Sequence, residues 1–296
     1  MTNNSGVSRI SRFAFAPDGL RLHYFEYGSI SDPGVPVVCL PGLARTAEDF
    51  NRLARVLAAP ATGPKRKVLA LDYRGRGGSA WDPDWTHYNL QIEHVDILAM
   101  LAAAGITNAI FIGTSRGGMH IMVLAAASPL LLRGAVINDI GPVVDMAGVM
   151  RIKGYVGILP PLSSWKEAVD LFRRTAGAHF TNVAEADWET YARQTFFEDH
   201  GRLQLRYDPA LARTLDTVNA DAPLPEMWPQ FEALANVPVL GIRGENSDIL
   251  SPATFTEMSR RHPRFESHIV KGQGHAPLLL DQPTISAIAD FVGRIP

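Results

Sequence analysis

Ala109-Ile110-Phe111-Ile112-Gly113-Thr114-Ser115-Arg116-Gly117-Gly118-Met119 is the stretch on which the reading of the fold turns. Its first four residues are apolar, β-branched or aromatic, as in a buried strand. From Met119 to Ala127 the chain is almost wholly apolar and is closed by Pro129, as expected of a buried helix. Between the two lies Gly113-Thr114-Ser115-Arg116-Gly117, a G-x-S-x-G spacing in the strand-turn-helix context that such a turn requires. The turn is so sharp that the side chains two before and two after the serine must nearly vanish. Glycine meets that condition at both places. The serine hydroxyl is thereby expected at the carboxyl end of a sheet, at the N-terminus of a helix.

Outward from this stretch, short apolar runs alternate with helical patterns. Leu20–Phe25, Val35–Leu40, Val68–Leu71, Ala135–Asn138, Val237–Ile242 and His268–Val270 read as strands. A helix is expected from Thr46, with Asp49 completing a capping-box-like pattern and Phe50, Leu53, Ala54 and Leu57 on one face. A second carries Val95, Leu98, Leu101 and Ala102 on one side and stops at Gly105. Later helices begin at Ser251-Pro252 and at Pro283. The alternation predicts an α/β fold with a mostly parallel central sheet flanked by helices.

Between about Gly141 and Met227 the rhythm breaks. Helical patterns at Trp165–Thr175, Asp187–Phe197 and Pro209–Leu215 follow one another without strong strand candidates, and aromatic residues gather here. The stretch 141–227 therefore reads as a helical cap inserted into a core made of 1–140 and 228–296. An ordinary helical layer of the same domain is the alternative.

With 296 residues the chain suits one large domain or a core with an inserted module. A net charge of −2 gives no reason to expect nucleic acid or an anionic membrane as partner. No apolar run is long enough for a membrane span, and the polar start, Met1-Thr2-Asn3-Asn4-Ser5-Gly6, lacks the apolar region of a signal peptide, so a cytoplasmic location is expected. The single cysteine, Cys39, sits in an apolar run and reads as a buried small hydrophobe. No H-E-x-x-H occurs, and one cysteine cannot build a Cys-rich zinc site, so neither metal nor organic cofactor is expected.

A serine hydroxyl is a poor nucleophile until a base lies within hydrogen-bond reach and a third group orients that base. His275 follows the last short strand, in Gly272-Gln273-Gly274-His275-Ala276-Pro277. Asp248 follows a late strand, in Arg243-Gly244-Glu245-Asn246-Ser247-Asp248. Asp139 is the rival acid, because it follows the strand after the turn's helix; chain order favours Asp248. Serine, acid and histidine then stand in the order of the α/β-hydrolases.

At these residues the chain resembles the α/β-hydrolase fold family, over most of its length. The resemblance is carried by Leu40-Pro41-Gly42, by Asp72-Tyr73-Arg74-Gly75-Arg76-Gly77-Gly78-Ser79, by the serine turn, by Asp248 and by His275. Cys39-Leu40-Pro41-Gly42-Leu43, with Asn138-Asp139-Ile140-Gly141-Pro142, looks like a bacterial subgroup of esterase- or lipase-like hydrolases. The resemblance implies a triad of Ser115, His275 and Asp248, and an oxyanion hole from the backbone N–H groups of Leu43 and Arg116. Pro41 stands where many relatives carry histidine, which leaves the backbone donors intact. The implied substrate is a small ester with an apolar acyl or alcohol group. Hydrolysis of carbon–carbon bonds, thioesters or lactones, perhydrolysis, and slow-turnover reception of a small molecule all remain open on the same triad. Ile158, Leu159, Leu162 and Trp165 are expected to wall the pocket and set acyl-chain preference. His120 reads as a packed or solvated histidine rather than a second base, and Arg45 and Arg74 as solvated loop positions or residues bordering the site.

Overall fold

Val37, Val38, Cys39 and Leu40 are wholly excluded from solvent, because the strand that carries them is covered on both faces. The computed structural model describes residues 7–158, 160–222 and 224–295, so Met1–Gly6 and Leu159 lie outside the described residues. In chain order the elements are β1 (Arg9–Phe15), β2 (Arg21–Tyr27), β3 (Gly34–Leu40), α1 (Asn51–Ala58), β4 (Arg66–Asp72), α2 (Leu90–Ala103), β5 (Ala109–Thr114), α3 (Arg116–Ala127) and β6 (Leu132–Asn138). There follow α4 (Met146–Lys153), α5 (Trp165–Ala176), α6 (Glu185–Thr195), β7 (Phe196–Asp199), β8 (Arg202–Leu205), α7 (Trp228–Glu232), β9 (Val239–Gly244), α8 (Pro252–Arg261), β10 (Phe265–Val270) and α9 (Gln282–Gly293).

Eight strands form one sheet in the order β1-β2-β4-β3-β5-β6-β9-β10. β1 and β2 run antiparallel at one edge, and every pairing from β4 to β10 is parallel. Alternate residues of the central strands feed two cores. Val38, Leu40, Leu69, Leu71 and Phe111 join α2, α3 and α8 on one face. Val37, Cys39, Val68, Ile110 and Ile112 join α1 and α9 on the other. Each fully buried aliphatic or aromatic side chain contributes about 1.5–3 kcal/mol relative to leaving it in water. Burial also pushes the Cys39 thiol far above the ordinary thiol range, leaving it an inert packing group.

The stretch between β6 and β9 leaves the sheet and builds a third apolar cluster, with Leu162, Ala168, Phe180, Trp188, Phe196 and Leu211 inside it. The sequence predicts a helical stretch here, and the hairpin corrects that: Phe196–Asp199 pairs antiparallel with Arg202–Leu205. Each of its strands is only four residues long, and in the first only Phe196 is buried, so it carries little alternation to read. Helix α4 is likewise absent from the sequence reading.

Three further expectations are corrected. On α2 the buried face is Glu93, Asp96, Ile97, Met100 and Leu101, whereas Val95 is exposed. The charged residues turn inward because arginines await them. Arg74 is not a solvated loop residue: it is buried, with Nε and Nη2 on Asp96 at 2.6 and 2.7 Å and Nη1 on Asp82 at 2.6 Å. On the short 3₁₀ turn Ala47–Phe50 that precedes α1, Thr46 accepts from the Glu48 N–H at 3.3 Å, while Asp49 pairs with Arg45 instead of closing a capping box.

Candidate active site

Ser115 occupies the single residue between β5 and α3, with φ 52° and ψ −112°. A positive φ costs a non-glycine residue of order 1–3 kcal/mol and persists only where the surroundings enforce it. They do so here. A Cβ on Gly113 would lie 2.4 Å from the Gly117 backbone, and one on Gly117 would lie 2.1 Å from the Leu40 carbonyl oxygen. The Ser115 N–H also donates to the Asn138 carbonyl at 2.9 Å, which ties the turn to β6.

Ser115 Oγ lies 2.9 Å from His275 Nε2, and His275 Nδ1 lies 2.8 Å from Asp139 Oδ2. Asp139 is fully buried, one residue past β6, and its backbone takes a φ of 59°. Asp tolerates that left-handed conformation better than most residues. Its carboxylate also accepts from the Gly244 N–H at 2.7 Å and from Ser247 Oγ at 2.6 Å. Four elements thus fix three side chains: β6 aims the carboxylate, the end of β9 with the loop after it supplies two of its donors, the β5–α3 turn presents the hydroxyl, and the loop after β10 carries the imidazole. Asn138 Nδ2 braces that last loop by donating to the Pro277 carbonyl at 3.0 Å.

The expectation for Asp248 is therefore corrected. Its carboxylate takes a fork of two bonds from Arg151 of α4, 2.6 and 2.8 Å long, and makes none to His275. Burial alone would raise its pKa, but the hydrogen bonds and charge of Arg151 hold it below the ordinary carboxylate range. The position that faces the histidine's acid from this loop is Ser247, one residue earlier. Chain order cannot separate the two acids, since both Asp139 and Asp248 lie between Ser115 and His275.

Behind the turn lies a cluster that sequence reasoning missed. The wholly buried Glu93 accepts from Arg116 Nε at 2.6 Å, pairs with Arg76 at 2.8 Å and meets His120 Nε2 at 3.1 Å. Burial would raise the Glu93 pKa, but Arg116 and Arg76 outweigh it and carry it well below the ordinary range. Burial likewise lowers His120, which is packed against Tyr73 with ring centroids 5.0 Å apart. Arg76 Nε in turn donates to the Leu43 carbonyl at 3.0 Å. One carboxylate thus links the two residues expected to supply oxyanion donors. Arg116 opens α3, where an N–H has no carbonyl partner within the helix.

Two cavities meet at Ser115. One, of about 450 Å³, is lined by His275, Tyr155, Phe172, Tyr191 and Phe196, with Arg45 and Asp49 in its wall. The other, of about 440 Å³, is lined by Met119, Ile140, Val144, Val149 and Ile249. Arg45 borders the first cavity in a fork with Asp49, 2.7 Å on each arm, and lies 4.1 Å over the Tyr191 ring. Of the residues expected to wall the pocket, Ile158 lines the first cavity. Leu162 is buried inside the third apolar cluster, Trp165 packs on that cluster beneath Arg193, and neither is in the wall of either cavity. Leu159 lies outside the described residues.

With fold and site in place, comparison with known proteins settles the class. Residues 37–287 match the model of the alpha/beta hydrolase family, and the chain belongs to that family. It is 30% identical over 286 residues to a 3-hydroxybutyrate-oligomer hydrolase of Cupriavidus necator, covering 93% of this chain and 94% of the relative. It is 29% identical over 253 residues to an sn-1-specific diacylglycerol lipase of Xenopus laevis, covering 84% and 75%. Among solved structures, an alpha/beta hydrolase from Novosphingobium aromaticivorans superimposes with a TM-score of 0.86 at 37% identity, covering 97% of this chain and 99% of that one. Among the described residues no helix is long and apolar enough to cross a membrane.

Proposed function

We propose that this hydrolase cleaves carboxylic esters through an acyl-enzyme, with Ser115 as nucleophile, His275 as general base and acid, and Asp139 as the acid that orients His275. The observation that carries the reading is the unbroken hydrogen-bonded chain from Ser115 Oγ through His275 to Asp139, opening on cavities with largely apolar walls. His275 Nε2 takes the Ser115 proton as Oγ attacks the ester carbonyl. The buried carboxylate keeps the proton on Nδ1 and stabilises the imidazolium that forms. The oxyanion rests on the N–H groups of Leu43 and Arg116, each such donor contributing about 3 kcal/mol to the transition state. His275 then protonates the departing alcohol and activates the water that releases the acid. Residues 141–227 act as a cap that selects the substrate. Relatives named as a hydrolase of 3-hydroxybutyrate oligomers and as a diacylglycerol lipase support an ester substrate.

A fluorophosphonate should attach to Ser115, found by mass spectrometry of the labelled peptide, and the purified protein should turn over p-nitrophenyl esters. Labelling elsewhere, or full ester turnover by Ser115→Ala, would overturn the reading.

A further inference from the structure

The two cavities touch Ser115 but differ in their relation to His275. Among the described residues they share only Leu43, Ser115 and Ile152 in their walls, and His275 with its neighbours Ala276 and Pro277 lines the first and not the second. That asymmetry has a chemical consequence. In acylation the Ser115 Oγ–carbonyl bond forms, the carbonyl–alkoxide bond breaks, and the proton removed from Ser115 passes from His275 Nε2 to the alkoxide oxygen. The departing oxygen must therefore lie within hydrogen-bond reach of Nε2, and what is attached to it must continue into space bordering the imidazole. The acyl chain, joined to the same carbon, points the other way. We infer that the 450 Å³ cavity receives the alcohol portion of the substrate and the 440 Å³ cavity its acyl portion, so that the natural substrate is an ester extended on both sides.

The walls define the chemistry of each arm. The acyl cavity is walled mainly by aliphatic side chains and thioether, among them Met119, Val144, Val149 and Leu215, which suits an aliphatic acid. The alcohol cavity presents the rings of Phe172, Tyr191 and Phe196 and the Arg45–Asp49 pair, which suits an alcohol bearing an aromatic ring or a further polar group. Both volumes fall in the range of about 300–1,000 Å³ typical of small-molecule sites. Acyl-chain preference is accordingly assigned to residues beside α3 and α4, and not to Ile158, which borders the alcohol cavity.

This inference rests on the esterase reading, and its test separates the two. Val149→Phe would fill the acyl cavity and Ala176→Phe the alcohol cavity. Each variant is assayed with ethyl esters from acetate to octanoate and with acetates from ethanol to octanol. In Val149→Phe the octanoate-to-acetate ratio of kcat/KM should fall at least about 10-fold, within the range of discrimination a change in pocket fit supplies, while the octanol-to-ethanol ratio holds within two-fold. Ala176→Phe should do the reverse. A pre-steady-state measurement is more pointed, because the alcohol has left before deacylation begins. With p-nitrophenyl esters, the ratio of octanoyl- to acetyl-enzyme deacylation rates should fall in Val149→Phe and stay near the unmodified value in Ala176→Phe. Val144→Phe at the same cavity repeats the test should Val149→Phe fail to fold. Exchanged patterns, or equal loss on both series, would overturn the assignment while leaving the esterase reading standing. An unmodified protein inert to every ester and unlabelled by fluorophosphonate would remove both.

Discussion

The loops after β6 and β9 leave neighbouring strands at the same end of the sheet, and each offers an aspartate, yet the two carboxylates live differently. Asp139 follows its strand at once, is fully buried and takes bonds from His275, Gly244 and Ser247. Asp248 stands four residues past β9, is partly exposed and is held by Arg151, a side chain of the excursion between β6 and β9. One loop fixes a charge inside the site, and the other ties the excursion to the core, with the Gly148 N–H also donating to the Asp248 carbonyl at 3.0 Å. What assigns a catalytic acid is therefore its offset from the strand end and the donors that surround it, more than its order along the chain.

Several substitutions sharpen this contrast. The largest effect belongs to Ser115→Ala, which should cost about 10⁴-fold or more in kcat on an aryl ester and abolish fluorophosphonate labelling. Next is Glu93→Gln, measured by denaturant unfolding. It leaves the buried Arg76 and the half-buried Arg116 against a neutral partner, for which a loss of about 3–5 kcal/mol is expected. The sign with pH follows from the lowered pKa of Glu93. Its folded value lies below the unfolded one of about 4.3, so its stabilisation is complete above about pH 5 and is lost as pH falls through the folded value. The gap between the variant and the unmodified protein should thus narrow only in acid. Ser247→Ala removes a charged hydrogen bond to Asp139, worth about 1.5–3 kcal/mol, and should lower kcat roughly 10-fold or more with KM little changed. The smallest stability effect is Arg151→Met. Its pair with Asp248 is partly solvated, and about 1 kcal/mol or less is expected from thermal unfolding.

Much of this was legible in the residues. The glycines flanking Ser115 announce the turn because no larger side chain fits there, and β3 to β6 and β9 announce themselves as apolar runs because both faces are covered. β1 was not legible: in Arg9–Phe15 only Ala14 is buried, so an edge strand of mixed residues carries no core signal. The inward face of α2 was misread because hydrophobicity cannot reveal a glutamate and an aspartate buried to meet arginines from a distant loop. Leu162 and Trp165 were expected at a pocket because aromatic and aliphatic residues suit one, but in the excursion they serve its own small core. The choice between Asp139 and Asp248 depended on loop paths, which neither motif nor chain order records.

The central claim is that Asp139 orients His275, and paired kinetics on one ester test it most directly. Asp139→Asn and Asp248→Asn are purified, shown to be folded, and compared in kcat/KM with the unmodified protein. Replacing the orienting carboxylate by an amide leaves the imidazole in the wrong tautomer, at a cost of about 10⁴-fold. The account predicts that loss for Asp139→Asn and less than about 10-fold for Asp248→Asn. Severe loss in Asp248→Asn with Asp139→Asn still active would contradict it.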